Sequence, residues 1–478
     1  MTIAKTVAAI LWAVVAVSFA SDCVAADSGA AWLAGDHHIH SRYSVGWNRE
    51  TDPPTPIIGG DAAYRLEMNA LMARYHGLDW MVGTDHGGPN HSKINRDQAY
   101  PALQKARLIV PEVIQFYGME LNTPAADHSS IIVAHSDDEV DHVYAIESQF
   151  DKYEAHPLDP LRFSEDKMVE ALTFMRGLQP KPVVVANHPS RSATGLGVYG
   201  LDTPSEFRRW NDTAADIAVG MAGAPGHQAL TLNVTRFPDS VGPRGAYALY
   251  PTMGGFDQLT ARLGGFWDSM LGEGRRWWIT ANSDSHLHWT EGGVDFFPGE
   301  YSKTYVHAEK NYDDILASLR AGRVFVTTGD LISELFVTAQ AVGGKSRAFI
   351  GQELVIDAGS NVAITIRLRD PATNNGNGDN PSVKRVDLID GSVGNRLADP
   401  NQDTNATTRV VKRFASSEWR KEGVYQTMEF VLENVSDSRY VRVRGTNTDE
   451  LEPEPDPKGE NPWTDLWFYS NPIFVTVN

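Results

Sequence analysis

The chain has almost no cysteine: Cys23 is the only one among 478 residues. A single thiol excludes an internal disulfide framework and a thiolate metal site, because both need several cysteines. Any metal bound by this protein must therefore be held by His, Asp or Glu side chains.

Long hydrophobic runs are equally scarce. The one notable run, Val7 to Ala20, follows Lys5 and precedes the small residues Val24-Ala25-Ala26, which is the pattern of a secretory signal peptide. No later run reaches the roughly 18 apolar residues of a membrane-spanning helix. We therefore expect residues 1–26 to be a signal peptide, which cleavage removes together with Cys23. The protein is then secreted, most simply into the periplasm, without a membrane span.

Positive charge is in deficit. The sequence has 42 Lys and Arg against 61 Asp and Glu, a formal net charge of -19. Nucleic-acid binding depends on Lys and Arg neutralising phosphates, so this balance predicts no nucleic-acid partner. The excess of acidic residues is explained by the solubility that a large net charge provides. A small anionic substrate remains compatible with it, because bound metal ions reverse the local charge. Nothing in the composition indicates an oligomeric state.

Length and patterning predict two domains after the signal peptide. A single core seldom grows beyond roughly 250–300 residues. In residues 27–330, apolar strand-like runs alternate with helical patterns, which favours an α/β class with either a barrel or a doubly wound sheet. In residues 331–478, runs such as Val362 to Leu368 alternate as in a strand, and no long helical pattern follows Leu319. This second part is predicted to be a smaller all-β, sandwich-like domain.

Polar caps and apolar runs predict individual elements. Asp61, Ser164 and Asn311 each precede apolar residues at spacings of three and four, so each is predicted to cap a helix. Apolar runs predict strands at residues 78–82, 113–117, 130–134, 182–186, 229–234, 277–281 and 324–327.

The most informative segment is His38-Ile39-His40, because side chains at i and i+2 of a strand share one face. One such pair is a weak signal alone. Similar side chains follow later apolar runs, at strand ends where both barrels and open α/β sheets build their sites. These segments are Thr84-Asp85-His86, Gly118-Met119-Glu120, Asn187-His188-Pro189 and Ser283-Asp284-Ser285-His286.

These residues are metal ligands by type. Asp284 and His286 repeat the spacing of the histidine pair, Glu120 has two oxygens with which to bridge two ions, and His128 is close enough in sequence to share the rim. Imidazole mixed with carboxylate suits zinc, manganese or iron better than calcium or magnesium. Two or three divalent metal ions are the predicted cofactors.

Taken in order, these motifs resemble those of the polymerase-and-histidinol-phosphatase (PHP) family of metal-dependent hydrolases. The resemblance covers residues 35 to about 330, and it is closest to the secreted branch that includes carbaryl-hydrolase-type enzymes. It implies a distorted seven-stranded (β/α) barrel with two or three metals at the carboxyl-terminal mouth.

The resemblance also implies a ligand set. His38, His40, Glu120 and Asp284 would hold one ion, Glu120, His128 and His188 a second, and His86 with His286 a third. The chain departs from the family at Ser44-Val45-Gly46, where many members have a ligand. The third ion is therefore either absent or completed by another residue such as Asp85.

The predicted activity is metal-dependent hydrolysis by a metal-bridging hydroxide, with a phosphoester as the first substrate class. Asp85, His86 and His286 are the candidate proton donors. Arg42, Lys93 and Arg191 adjoin the motifs and are predicted to hold an anionic substrate, although a solvated rim explains them equally well. His227 is a candidate orienting partner for a ligand.

Two alternatives remain open from the sequence. The same site would serve a carbamate, amide or ester hydrolase, which the resemblance to the secreted branch suggests. A non-catalytic exported protein with structural metals is the third possibility.

Overall fold

The computed structural model describes residues 29–233 and 242–478. The predicted signal peptide, residues 1–26, and Cys23 lie outside the described residues. Across the described ranges, no helix combines the length and the apolar character needed to cross a bilayer.

The helices lie mainly in the first two thirds of the chain. Ser164 and Asn311 cap helices as predicted, since the Ser164 hydroxyl accepts from the Lys167 N–H at 3.2 Å and the Asn311 amide oxygen from the Asp314 N–H at 2.8 Å. The α-helices are α1 (Leu66–Tyr75), α2 (His91–Ile94), α3 (Tyr100–Ile109), α4 (Glu139–Phe150), α5 (Glu165–Gly177), α6 (Pro204–Ala214), α7 (Gln258–Ala261), α8 (Phe266–Gly272) and α9 (Tyr312–Ala321). A π turn, Asn95–Ala99, joins α2 to α3, and short 3₁₀ turns run over Pro160–Phe163, Gln228–Leu232, Arg244–Ala246, Trp289–Glu291, Ser416–Glu418 and Pro462–Thr464.

The strands in the first part of the chain are β1 (Ala31–Ile39), β2 (Gly46–Asn48), β3 (Thr55–Ile57), β4 (Trp80–Gly83), β5 (Ile114–Asn122), β6 (His128–Ile132), β7 (Val183–Asn187), β8 (Ala218–Ala224), β9 (Trp278–Ala281), β10 (Ser302–Ala308) and β11 (Val324–Thr328). Those that follow are β12 (Glu334–Ala341), β13 (Arg347–Phe349), β14 (Glu353–Ile356), β15 (Ser360–Arg369), β16 (Arg385–Ser392), β17 (Arg409–Ala415), β18 (Arg420–Glu422), β19 (Tyr425–Val435), β20 (Arg439–Thr446), β21 (Trp467–Ser470) and β22 (Ile473–Val477).

Seven strands of one large mixed sheet form a row in the order β1-β4-β5-β6-β7-β8-β9. Neighbours in this row are parallel except at β6, which is antiparallel to β5 and β7. The two ends of the row meet beyond the strands, because Ile39 forms a parallel bridge with Ser285 and the His40 N–H donates to the Ser285 carbonyl at 3.0 Å. The segments that follow β1 and β9 therefore lie side by side.

The same sheet continues into the last third of the chain. Strand β11 pairs with β21, with Phe325 opposite Ser470, and the sheet extends through β20, β22, β14, β16 and β17. A separate antiparallel sheet has the order β13-β12-β15-β19-β18. The α/β class and the strand-rich C-terminal part are as predicted. The boundary at residue 330 remains a prediction, and hydrogen bonds of the large sheet cross it.

Two predicted elements are wrong. Asp61 does not cap α1, which begins at Leu66 after Arg65. Residues 228–232 form a 3₁₀ turn instead of a strand, and the strand of this region is β8, which the sequence pattern did not predict. The pattern lacks a strand signal because β8 consists largely of small residues. One of them is required by packing: β9 approaches so closely that a Cβ at Gly220 would overlap the Trp278 carbonyl.

Candidate metal centre

The two histidines at the end of β1 share one face. The Nε2 atoms of His38 and His40 are 2.9 Å apart, and both side chains are fully buried. His37 points to the opposite side, where its Nε2 lies 2.8 Å from the Thr280 hydroxyl. Strand alternation thus separates two inward-facing ligands from a buried structural histidine.

Two carboxylates complete a first ligand group, formed by His38, His40, Glu120 and Asp284. From His38 Nε2, a Glu120 oxygen lies at 3.0 Å and an Asp284 oxygen at 3.1 Å. From His40 Nε2, the corresponding distances are 3.4 and 3.1 Å. A tetrahedral ion with bonds near 2.0 Å has ligand atoms about 3.3 Å apart, so this group has the dimensions of a zinc-type site.

Glu120 also belongs to a second group, with His128 and His188. Its Oε1 lies 3.1 Å from His128 Nδ1 and 3.4 Å from His188 Nε2. Both nitrogens are buried without a hydrogen-bond partner. Buried polar atoms are nearly always satisfied, so these unsatisfied nitrogens fit a site that a metal ion completes.

A third group consists of His40, His86 and His286. Asp61 lies against it: its Oδ2 is 3.0 Å from His86 Nε2 and 3.4 Å from His286 Nε2. An acidic side chain thus adjoins this group from a loop about fifteen residues after Ser44-Val45-Gly46. Asp61 was predicted only as a helix cap.

Asp85 does not fill the third group, contrary to the suggested alternative. Its carboxylate accepts from the N–H and the hydroxyl of Ser41, both at 2.6 Å, and from the Ser44 hydroxyl at 3.0 Å. The Ser44 oxygen in turn lies 2.8 Å from His40 Nδ1. Asp85 therefore positions His40 through Ser44, on the Nδ1 side of the ring, opposite the Nε2 atom that faces the ligand groups. Carboxylates commonly orient metal-binding histidines.

His227 lies beside Asp284, where it is able either to bind a metal ion or to orient the Asp284 carboxylate. Its Nε2 lies 2.8 Å from the second oxygen of Asp284, and together with Asp284 and His286 it forms a further potential ligand group. Its Nδ1 contacts Asp295, a buried residue whose other oxygen accepts from the His286 N–H at 2.7 Å. Asp295 was not predicted, because it lies in a loop without any motif.

The side chain of Asn187 fixes the shared carboxylate. Its amide nitrogen donates to Glu120 Oε1 at 3.0 Å, and its oxygen accepts from the Ser130 hydroxyl at 3.0 Å. Asn187 is the last residue of β7, directly before His188, so the turn that presents a ligand also orients the carboxylate.

Three residues of the cluster have a left-handed backbone. The φ angles are 29° at His188, 56° at His227 and 49° at Asp284. Such conformations cost of order 1–3 kcal/mol each for residues other than glycine, and they concentrate at functional sites. The strain is here located at the turns that aim the side chains into the cluster.

Electrostatics keeps the central carboxylates ionised. Burial alone would raise the pKa of Glu120, but the neighbouring His128 and His38 outweigh it and hold the pKa well below its usual value. Burial is likewise outweighed at Asp284, whose pKa is held well below its usual value by His227 and His38. Ionised carboxylates are the form in which Asp and Glu bind metal ions, whereas the neighbouring histidines must lose their protons to do so.

The three predicted substrate-binding cations are placed differently. Arg191 lies beside the second group, where its guanidinium donates to Asp127 at 3.1 Å, and Asp127 is 3.5 Å from His188 Nδ1. Lys93 is exposed and donates to the Asn90 side chain at 2.7 Å. Among the described residues, no carboxylate forms an ion pair with the Arg42 side chain, and Arg42 is not a member of a ligand group. Only Arg191 is therefore positioned next to a candidate ligand.

The cluster is closed on one side and open on the other. His38 and His40 are fully buried, whereas the side chains of His86, His128 and His286 are 20, 18 and 18% exposed. Solvent thus reaches the second and third groups, each of which is short of a full coordination shell. These buried and half-buried His, Glu and Asp groups are able to hold divalent metal ions.

No protein-family model and no curated protein matches the chain.

Proposed function

We propose that this protein is a metal-dependent hydrolase of the PHP type, with phosphoesters as its first substrate class. The order of the ligands along the chain supports the family. The seven-strand row with adjoining ends also supports the proposed distorted (β/α) barrel, in which segments after β1, β4, β7 and β9 carry the ligands. The position of the cluster at the carboxyl ends of these strands agrees with such barrels.

One observation carries the proposal of catalysis: Glu120 is shared between a four-residue group and a three-residue group. Structural metal sites are usually closed by four protein ligands, whereas catalytic sites keep an open position. The four-residue group has the closed form, and the three-residue group leaves room for a substrate atom. Bound divalent ions would supply an activated water and stabilise developing negative charge.

The residues around the cluster have separate roles in this proposal. Arg191, at the edge of the second group, orients a negatively charged oxygen of the substrate. Asp85 is engaged by Ser41 and Ser44, so it is not the proton donor. His86 and His286, on the solvent-facing side, are the remaining candidates for protonating the leaving group.

A carbamate, amide or ester hydrolase is the second candidate. The observation that favours it is the scarcity of unpaired positive charge beside the ligand groups, since Arg191, the predicted cation next to a candidate ligand, is already paired with Asp127. A phosphate monoester carries about two negative charges and would profit from more cations. Assays with p-nitrophenyl phosphate, bis-p-nitrophenyl phosphate and an aryl carbamate, run in parallel, separate the two. Turnover of the carbamate alone would reject the phosphoesterase.

Substitution of the shared carboxylate tests catalysis itself. We expect Glu120→Gln to lower kcat by at least about 100-fold, because it removes a bridging negative oxygen from two ligand groups. Glu206→Gln is the matched control: Glu206 is equally buried but lies in α6, and burial raises its pKa to about 8, so the amide replaces a neutral acid. Normal circular dichroism with unchanged activity for Glu120→Gln would contradict a catalytic role for the shared carboxylate. Absence of hydrolysis with any divalent metal, together with unfolding on chelation, would favour a non-catalytic metal-binding protein.

Export to the periplasm is proposed from the pattern of residues 1–26 alone. Expression of the full sequence followed by cell fractionation and N-terminal sequencing tests it. Full-length protein retained in the cytoplasm would contradict export.

A further inference from the structure

A cavity lies at the amino-terminal end of β1, whereas the ligand cluster lies at the carboxyl end of the same strand. It has a volume of about 760 Å³ and is lined by residues of β1 and β10 on one side and of β12 and β15 on the other. Ligand pockets in proteins typically measure roughly 300–1,000 Å³. Trp32 and His38 are six residues apart on the strand, which separates the cavity from the cluster by about 20 Å.

Aromatic side chains form a continuous wall in this cavity. The Trp32 ring centroid lies 6.1 Å from that of Phe336, and the Phe336 centroid lies 6.0 Å from that of Tyr425. The guanidinium of Arg367 sits over the Tyr425 ring at 4.4 Å. Phe336 and Arg367 are direct partners across β12 and β15. An apolar surface thus leads directly to a positive charge.

Most of the charged groups in the cavity wall are already paired. Glu334 accepts from Arg369 at 2.8 Å and from the Tyr425 hydroxyl at 2.7 Å, and Asp79 accepts from Lys310 at 2.7 Å. Arg367 is different, because no carboxylate among the described residues forms an ion pair with it.

The unsatisfied polar atoms of the wall are all donors. Among the lining residues that the structure describes, the buried side-chain atoms without a hydrogen-bond partner are Trp32 Nε1, Arg323 Nε and Arg367 Nε. These three atoms are enclosed by the wall and do not face the cavity. The Arg367 side chain as a whole is partly exposed and lines the cavity, so it favours a negatively charged group there.

We propose that this cavity binds a small organic carboxylate with an aromatic body. Its carboxylate pairs with Arg367, and its ring packs against Trp32 and Phe336. This site is independent of the proposed hydrolase activity, since it shares no residue with the ligand cluster.

Fluorine NMR of the full-length protein labelled with 5-fluorotryptophan tests the site directly. Trp32→Phe identifies the Trp32 resonance. We expect 3-phenylpropionate to shift that resonance saturably, and its neutral amide, 3-phenylpropionamide, to bind at least about tenfold more weakly, because a charged hydrogen bond is lost. The affinities for acid and amide are compared on the labelled protein with its natural sequence, and a variant is needed only to assign the resonance.

Arg367→Gln should weaken binding of the acid by at least about tenfold for the same reason. Lys421→Gln is the matched control, since it removes a charge of the same sign from β18 of the same sheet but outside the cavity wall, and it should leave binding unchanged. The proposal is overturned by equal affinity for acid and amide, or by unaltered binding in folded Arg367→Gln. A Trp32 resonance that stays in place at about 10 mM acid, a concentration far above a useful Kd, also overturns it, even if a carboxylate binds at the metal cluster.

Discussion

Asp61 is the half-exposed carboxylate that faces His86 and His286 at the outer edge of the ligand cluster. The first and second ligand groups contain no contribution from it. We expect Asp61→Asn to lower the metal-to-protein ratio by one ion while leaving the ions at Glu120 in place, because a neutral amide is a much weaker ligand than a carboxylate. Elemental analysis after dialysis against metal-free buffer gives the ratio.

Asp52→Asn provides the control for this substitution. Asp52 is also an exposed aspartate in contact with a histidine, His156, at 2.6 Å, but neither residue belongs to a ligand group. The ratio should not change in this variant. If Asp61→Asn retains the same number of ions as the unmodified protein, Asp61 is not a ligand.

Individual ligands were predictable where they follow a strand. His38, His40, His188 and Asp284 come directly after or at the end of apolar runs, so their convergence follows from strand geometry. Asp61 and Asp295 were not predictable, because they lie in loops whose path depends on tertiary contacts. Asp85 lies at the rim by its sequence position, but its carboxylate is directed to Ser44, whose oxygen lies beside His40 Nδ1.

At the scale of elements, α2 is joined to α4 by a buried ion pair. His91 Nδ1 lies 2.6 Å from a Glu147 oxygen, and both side chains are 1% exposed. Burial lowers the pKa of His91, but Glu147 outweighs that effect and raises the pKa to about 9. The histidine is therefore charged in the folded protein at neutral pH.

This pair predicts a pH-dependent stability. An unfolded histidine has a pKa near 6.5, so the contribution of His91 is complete below that pH and is lost as the pH rises to about 9. A shift of this size corresponds to roughly 3 kcal/mol of unfolding free energy. Urea unfolding across this range should show the loss in the unmodified protein relative to His91→Gln. Parallel pH curves for the two proteins between pH 6 and 9 would contradict the prediction, whereas above about pH 10 parallel curves are expected.

The accuracy of the element predictions followed local signals. Helices α5 and α9 were predicted because a cap and an apolar face occur together, and Met168, Ala171, Leu172 and Met175 of α5 are buried as expected. Strand β8 was missed because close packing against β9 selects glycine and alanine, which carry no strand signal. Local sequence thus determines elements with their own caps, whereas elements shaped by neighbours need the fold.

At the scale of the whole molecule, the ligand groups draw on segments from residue 38 to residue 286. Metal binding should therefore stabilise the folded chain as a unit, since an unfolded chain does not bring these segments together. We expect zinc or manganese to raise Tm by several degrees, with about 2.7 kcal/mol gained when the free ion is at 100 times its Kd. Differential scanning calorimetry after chelation and after re-addition of metal measures the shift.

Calcium is the control ion, because it prefers sites made only of oxygen ligands. It should shift Tm far less than zinc. Glu120→Gln should remove most of the zinc-dependent shift. An equal response to calcium and zinc would indicate general ion binding to the acidic surface instead of the His-rich cluster.

The pairing of β11 with β21 has a consequence for how the chain may be divided. Phe325, Val326 and Thr327 pair with residues of a strand almost 150 positions later. A fragment ending at the predicted boundary would leave their backbone N–H and C=O groups unpaired along an exposed strand edge, which is a template for aggregation. The C-terminal strands thus act as edge protection for the half of the molecule that carries the ligands. A shortened gene product is expected to be found in inclusion bodies.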